Sequence, residues 1–365
     1  MAQAPLPDSI AMEAYEATVR GGTISAGARL RGVPEPTHRR QYLAAVERLG
    51  QPDVRFTVDR GSKATEVPPF QVAPLPSGDE PIEDLIARRA AAYSRKHEAR
   101  EARELVPVSV HLDGAYGILH MGDPHVDDDG CDWPTLLRHL ETVDRTEGLF
   151  AANVGDMQNN WIGRLARLYG SQGTSAKDAL RMVEWFIGRT RWLYLIGGNH
   201  DAWSGTQDPV RWFAGQAGHA YEWHGMRLAL RSPNGREVRI NARHDFQGAS
   251  QWNGAHAPAK AAMMGWHRDH IYSCGHRHSA AHNTLFFNNG EHVAHAIRLG
   301  AYKVHDDFAE SKGFPKQNAP AAVTIINPDA RDAFGLVTVF WDVEAAADYL
   351  RFLRRPRVRV AARSA

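Results

Sequence analysis

The stretch Ala115-Tyr116-Gly117-Ile118-Leu119-His120-Met121-Gly122-Asp123-Pro124-His125 decides the fold. A near-continuous apolar run breaks at Gly122 and ends in an aspartate and a histidine. A run of this length bounded by glycine predicts a buried strand, Ala115 to Met121, that delivers polar groups at its end. The same pattern recurs downstream. Gly148 to Val154 predicts a strand ending at Gly155-Asp156, and Trp192 to Ile196 leads into Gly198-Asn199-His200-Asp201. Glu237 to Ala242 precedes Arg243-His244-Asp245, and His270 to Cys274 precedes Gly275-His276-Arg277-His278. Helical spacing separates the early strands, over Trp133 to Arg145 with Leu136, Leu137, Leu140 and Val143 inward, and over Ser175 to Arg189. Strands alternating with helices predict an α/β class.

Further strands are expected over Val106 to His111, Arg227 to Arg231, Ala322 to Ile326 and Val337 to Trp341, with a last helix over Val343 to Arg354. Asn289-Gly290 reads as a hairpin turn between Thr284 to Asn288 and His292 to Leu299.

The five polar segments share one chemistry. Carboxylate oxygen, amide oxygen and imidazole nitrogen are hard or borderline ligands, and two divalent cations need about this many from separate strand ends. A phosphodiester is anionic, so its hydrolysis needs a nucleophile and charge neutralisation, and a cation pair supplies both. Such a site also needs an imidazole outside the ligand set to protonate the leaving oxygen. Singly, each segment has an ordinary structural explanation; all five in order do not.

From Ile118 to His278 these motifs resemble the calcineurin-like metallophosphoesterase family, in its branch of SbcD-like and phage-type DNA exonucleases. The resemblance implies a β-sandwich flanked by helices, with ligands on loops at strand ends. It implies that Asp123, His125 and His278 hold one metal, that Asn199, His244 and His276 hold the second, and that Asp156 bridges them. His200 would be the general acid, or a transition-state stabiliser, and Asp201 would orient its ring. Ligands of mixed nitrogen and oxygen without thiolate suit manganese, with iron, zinc or nickel as alternatives. Asn159 and Asn160 stand where phosphatase relatives carry an Asp-Arg pair, which argues against a serine/threonine phosphatase. The segment from Ala301-Tyr302-Lys303 to Gly313-Phe314 resembles the phage-encoded members.

Upstream, Ser9 to Gly50 reads as a small helical unit. A first helix capped by Ser9 ends at Gly21-Gly22, and a short one runs to Arg31. A third follows the turn Gly32-Val33-Pro34, with Tyr42, Leu43, Val46 and Leu49 as its apolar stripe. The arrangement resembles a helix-turn-helix, in which Thr37, His38, Arg39 and Arg40 would meet nucleic acid. Residues 51–80, with Pro68-Pro69, Pro74 and Pro76, read as a linker. A charged helix from Pro81 to about Leu105 follows, so the expected division is 1–50, 51–105 and 106–365.

The net charge of the 365 residues is +1, so no global basic field attracts nucleic acid. Local clusters can neutralise phosphates instead, or be merely solvated: the early arginines, and Arg351, Arg354, Arg355, Arg357, Arg359 and Arg363 near the end. No apolar run reaches the roughly 20 residues that span a bilayer. Met1 to Ile10 carries no basic-then-apolar signal, and the two cysteines make no disulfide framework. A cytoplasmic setting without a membrane is expected. DNA is the expected partner, and a homodimer the oligomeric state that the related nucleases suggest. Trp161, Trp203, Trp252 and Trp266 lie near the motifs; stacking on unpaired bases is one role open to them, and most are expected in the core. The leading reading is a two-metal DNA nuclease. Two others stay open: a small-molecule phosphodiesterase or phosphatase, and a DNA-binding regulator with a vestigial metal site.

Overall fold

The computed structural model describes residues 7–50, 78–202, 208–305 and 319–355, together with residues 310 and 313. Contacts divide the chain into two units, Met1–Glu80 and Pro81–Ala365. In the second unit two six-stranded sheets lie face to face, flanked by helices, which is the sandwich expected.

One sheet is built on β2 (Tyr116–Met121), whose six residues are all buried. Parallel partners β3 (Leu149–Asn153), β4 (Trp192–Gly197) and β5 (Tyr221–Trp223) lie on one side, in the order given. On the other side lie antiparallel β11 (Ala321–Ile326) and β12 (Val337–Phe340). The second sheet runs β1 (Val106–Ser109), β6 (Gly225–Arg231), β7 (Glu237–Arg243), β8 (Ile271–Cys274), β10 (His292–Arg298), β9 (Ala281–Phe287). Between the sheets, Ile118, Val154, Tyr194 and Ile196 meet Leu228, Ile240, Ile271 and Ile297. Strands buried on both faces carry no polar alternation, which is why they read as unbroken apolar runs.

Helices cover the outer face of the β2 sheet. In α5 (Trp133–Arg145) Pro134 lies in the first turn, where its missing N–H costs nothing, and the Asp132 carboxylate accepts from Thr135 N at 3.0 Å. Its inward face is Leu136, His139, Leu140 and Val143. Leu137, expected inward, is 44% exposed, and His139 takes its place because its Nδ1 bonds the Tyr302 hydroxyl at 2.8 Å. Ser175 caps α6 (Ala176–Gly188), and Asp342 caps the final helix, Val343–Arg354. Arg351 and Arg354 of that helix are tied to Asp348, Thr146, Glu147 and the carbonyls of Asp113 and Ala115. They brace the fold rather than offer a free basic patch. Arg357, Arg359 and Arg363 lie outside the described residues.

Among the described residues, the N-terminal unit is three helices, α1 (Asp8–Gly21), α2 (Ile24–Arg31) and α3 (Glu35–Leu49). Pro7, not Ser9, occupies the first cap position. The expected stripe on α3 is not its inner face. Leu43 and Leu49 are more than half exposed, and His38 and Ala45 are buried instead. The Thr18 hydroxyl donates to Ala14 O, so its oxygen accepts from His38 Nε2 at 2.8 Å, which leaves His38 Nδ1 to accept from Arg31. A ring so enclosed cannot meet nucleic acid, which corrects the reading of His38; Thr37 is half-buried, and Arg39 and Arg40 are exposed. The proline-rich linker lies largely outside the described residues. The charged helix α4 (Ile82–Ala102) buries none of its side chains.

Three histidines of the second unit, His120, His139 and His295, are buried as neutral rings, and His270 is half-buried. His120 sits between the Tyr194 hydroxyl (2.6 Å) and Thr324 Oγ1 (2.9 Å). Burial drives His120 down to about 3, and His139, His270 and His295 to about 4, from 6.5. The folded state thus binds these protons less readily than the unfolded one, and their contribution to stability is present above about 6.5 and lost as the pH falls. The melting temperature is expected to drop between about pH 6.5 and 4; a flat profile over that range would contradict the burial of these rings.

Candidate metal centre

The polar segments cap the C-terminal ends of β2, β3, β4, β7 and β8 and converge at one edge of the sandwich. One ligand atom from each of Asp123, His125 and His278 falls within 4.8 Å of the others. The same holds for Asp156, His244 and His276, and for His125, Asp156 and His200. Asp156 therefore stands in a cluster with residues of both proposed ligand groups. Asn199 joins through its Oδ1, 2.9 Å from His244 Nε2.

The backbone is held unusually at this edge. His125, Asp156, His276 and His278 have φ of +43°, +51°, +67° and +49°. Side-chain-bearing residues in this left-handed region cost about 1 kcal/mol or more each and persist only where surroundings impose them. The flanking glycines show the constraint. A Cβ on Gly275 would lie 2.2 Å from Asp123 Oδ1, and one on Gly198 would lie 2.1 Å from Asp156 Oδ1. Gly275→Ala is therefore expected to displace Asp123 and weaken metal binding by about 10–100-fold, the range seen when supporting groups are lost. Elemental analysis after dialysis checks this; a wild-type metal content would contradict it.

The donor set fits cations. His244 Nδ1 donates to Val154 O at 2.9 Å, so the neutral ring presents a lone pair at Nε2. That lone pair faces Asn199 Oδ1 at 2.9 Å, Asp156 Oδ2 at 3.2 Å and His276 Nδ1 at 3.1 Å. The two oxygens and the Nε2 lone pair, converging this closely, repel unless a positive charge lies among them. Burial opposes charge on His244, yet Asp156 and Asp123 outweigh it and raise the ring to about 10, so a proton serves there when no metal does. Reciprocally, His244 holds the Asp156 carboxyl far below the usual range despite its burial. On the other side, Asp123 Oδ1 and His125 Nδ1 are buried without a hydrogen-bond partner among the described residues. His278 Nε2 lies 3.1 Å from Asp123 Oδ2 and 3.4 Å from His125 Nε2. His276 is exposed and the His278 side chain is 30% exposed, so the centre opens on that side.

His200 lies beside the ligands with its ring edge-on to His125 and Trp161. Its Nδ1 donates to Asn159 O at 2.5 Å, which leaves Nε2 facing the site, 4.0 Å from Asp156 Oδ2. Burial lowers its pKa. The expectation that Asp201 orients this ring is not met. Asp201 accepts from Met157 N at 3.0 Å and Gly198 N at 2.8 Å, and so ties two of the site loops together. The Asn159 carbonyl orients the ring instead.

Asn159, read from the sequence only as a departure, is a junction. Its side chain donates to Asp128 at 2.6 Å, and its N–H to Asp127 at 2.7 Å. Asp128 also holds the buried Lys303 at 2.9 Å, and the Lys303 ammonium lies 4.8 Å from the Trp161 ring centre. Sequence reasoning missed this shell, although Lys303 sits in the segment that resembled phage enzymes. Trp161 is buried, as expected, but Trp252 and Trp266 are 95% and 100% exposed. Trp203 lies outside the described residues.

Neither the family models nor the curated proteins compared with the sequence include a match. Solved structures that resemble the chain include the nuclease MPE of Pseudomonas putida, 13% identical over 61% of this chain and 87% of that one, with a TM-score of 0.29. Vps29 of Chaetomium thermophilum is 12% identical over 62% and 91%, at 0.27. GAP50 of Plasmodium, described as the anchor in the inner membrane complex, is 8% identical over 66% and 95%, at 0.33. With TM-scores this low, the functional reading rests on the site itself.

Proposed function

We propose that the chain is a two-metal-dependent phosphodiester hydrolase that cuts DNA. The observation that carries this reading is the position of Asp156, whose carboxylate shares clusters with ligand candidates of both groups. Asp123, His125 and His278 would hold one cation, and Asn199, His244 and His276 the other, with manganese the metal of first choice. Bound there, the cations would supply Lewis acidity toward the phosphate and a water acidified to near neutrality.

The remaining chemistry belongs to the chain. Asn159 O holds the Nδ1 proton of His200, so Nε2, on the side of Asp156, is the atom that would take and give the exchangeable proton. Met157 N and Gly198 N, both bound by Asp201, keep the His200 loop fixed against the Asp156 loop. The open side at His276 and His278 admits an extended anionic chain. Exposed Arg39 and Arg40, early on α3 after the α2 turn, are the N-terminal unit's own candidates for DNA phosphate contacts.

Purified protein with manganese and labelled linear double-stranded, single-stranded and circular DNA tests the reading, with Asp156→Asn as control. Cleavage by the wild type alone is expected. Hydrolysis of an aryl phosphodiester with every DNA left intact would move the substrate to a small molecule.

A further inference from the structure

We propose that Trp252 and Arg277 form a subsite for an unpaired nucleotide beside the metal centre, the indole stacking on the base and the guanidinium taking a phosphate; this rests on the phosphodiesterase reading above. A single exposed tryptophan is ordinary. Trp252 differs in where it stands and in how its loop is held.

It stands on the loop that leaves β7 just after His244 and enters α8 (His256–Met264). β7 and β8 are parallel and deliver their ligands, His244 and His276, at the same end. The Trp252 loop therefore lies at the site end of the sheet. Trp266 follows α8 and precedes β8, so it lies at the opposite end.

A bracket of buried charge holds the loop. Arg298, 2% exposed, donates from Nε to Gly254 O at 2.8 Å and from its terminal nitrogen to Asp245 Oδ1 at 3.2 Å and Gly275 O at 3.3 Å. Asp245 Oδ2 in turn faces Arg277 Nε at 3.5 Å, and half of the Arg277 side chain is exposed. Gly254, two residues after Trp252, is thus linked to Arg277 through Arg298 and Asp245. Arg277 stands between the ligand candidates His276 and His278, on the open side of the centre. The Ser250 hydroxyl accepts from Trp252 N and Asn253 N at 3.2 Å, which fixes the loop tip. An exposed indole and a half-exposed guanidinium at the same end of the sheet match a planar base and its phosphate. Paired bases hide their faces, so the ligand class is single-stranded or frayed nucleic acid.

Fluorescence anisotropy of a labelled phosphorothioate octathymidylate, with manganese and the full chain, tests this. The comparator is the same backbone carrying abasic residues. Trp252→Ala is expected to weaken octathymidylate binding by about 5–100-fold, the range for one base–aromatic stack, and Trp252→Phe to keep most of the affinity. The abasic backbone should bind both variants as it binds the wild type. Trp266→Ala, at the far end of the sheet, is the control expected to bind like the wild type, and Arg277→Ala should weaken both ligands. Equal binding by Trp252→Ala and wild type, an equal loss on the abasic backbone, or no base-dependent binding at all would overturn the proposal. Hydrolysis of methyl 4-nitrophenyl phosphate by the same wild-type preparation tests the parent reading separately. Turnover without base-dependent binding would remove the subsite alone, and binding without turnover would remove the hydrolase.

Discussion

Asp156→Asn is expected to lower phosphodiester hydrolysis by more than about 10³-fold, beyond the loss typical of removing one electrostatic stabiliser from a preorganised site. The substitution is isosteric, so the fold should survive. The amide oxygen can still accept from His200 N, as Asp156 Oδ1 does at 2.9 Å. What is lost is the second anionic oxygen, 3.2 Å from His244 Nε2, together with the charge that draws two cations to one carboxylate. An amide N–H₂ at that position would point a donor where a cation should lie. Retained metal should fall from two toward one per chain, as read by elemental analysis. Near-normal turnover in this variant would remove the mechanism.

His200→Ala is expected to cut the rate by about 10²–10⁴-fold, the usual worth of one proton-transfer group, while both metals stay bound. The ring is positioned for that role and not for ligation, because its Nδ1 is committed to Asn159 O and its Nε2 stands 4.0 Å from Asp156 Oδ2. Yet His200 also lies in a cluster with His125 and Asp156. Loss of a metal from the alanine variant would therefore assign His200 to the ligand set. A substrate with a highly acidic leaving group needs no protonation, so it should lose less rate than an alkyl ester; equal losses would speak against a general acid.

Much of the fold is legible in the sequence because its central strands are buried on both faces and end at glycines that nothing larger could replace. Ala115 to Met121 and Gly148 to Val154 both mark β-strands within a residue or so. The elements left unread are short. The helix Pro209–Gln216 has eight residues, and α8 is rich in alanine, with no sharp apolar stripe. The motif residues come together because five strand ends meet, an outcome their order foreshadowed. Roles that depend on which atom faces which were not legible. Asp201 bonds two backbone amides, and the ring it was expected to orient is held by a carbonyl, a group no side-chain pattern encodes. His38 looked like a contact residue because the helix start is polar, yet the unit uses Thr18 and Arg31 to satisfy it inside. Trp252 and Trp266 were expected mostly in the core as large apolar side chains, whereas both stand in solvent on loops either side of α8.

The most direct test of the central claim is a crystal grown with manganese and measured for anomalous scattering. Two peaks are predicted, one among Asp123, His125 and His278 and one among Asn199, His244 and His276, with Asp156 touching both. A single peak, or peaks away from these residues, would contradict a two-metal centre.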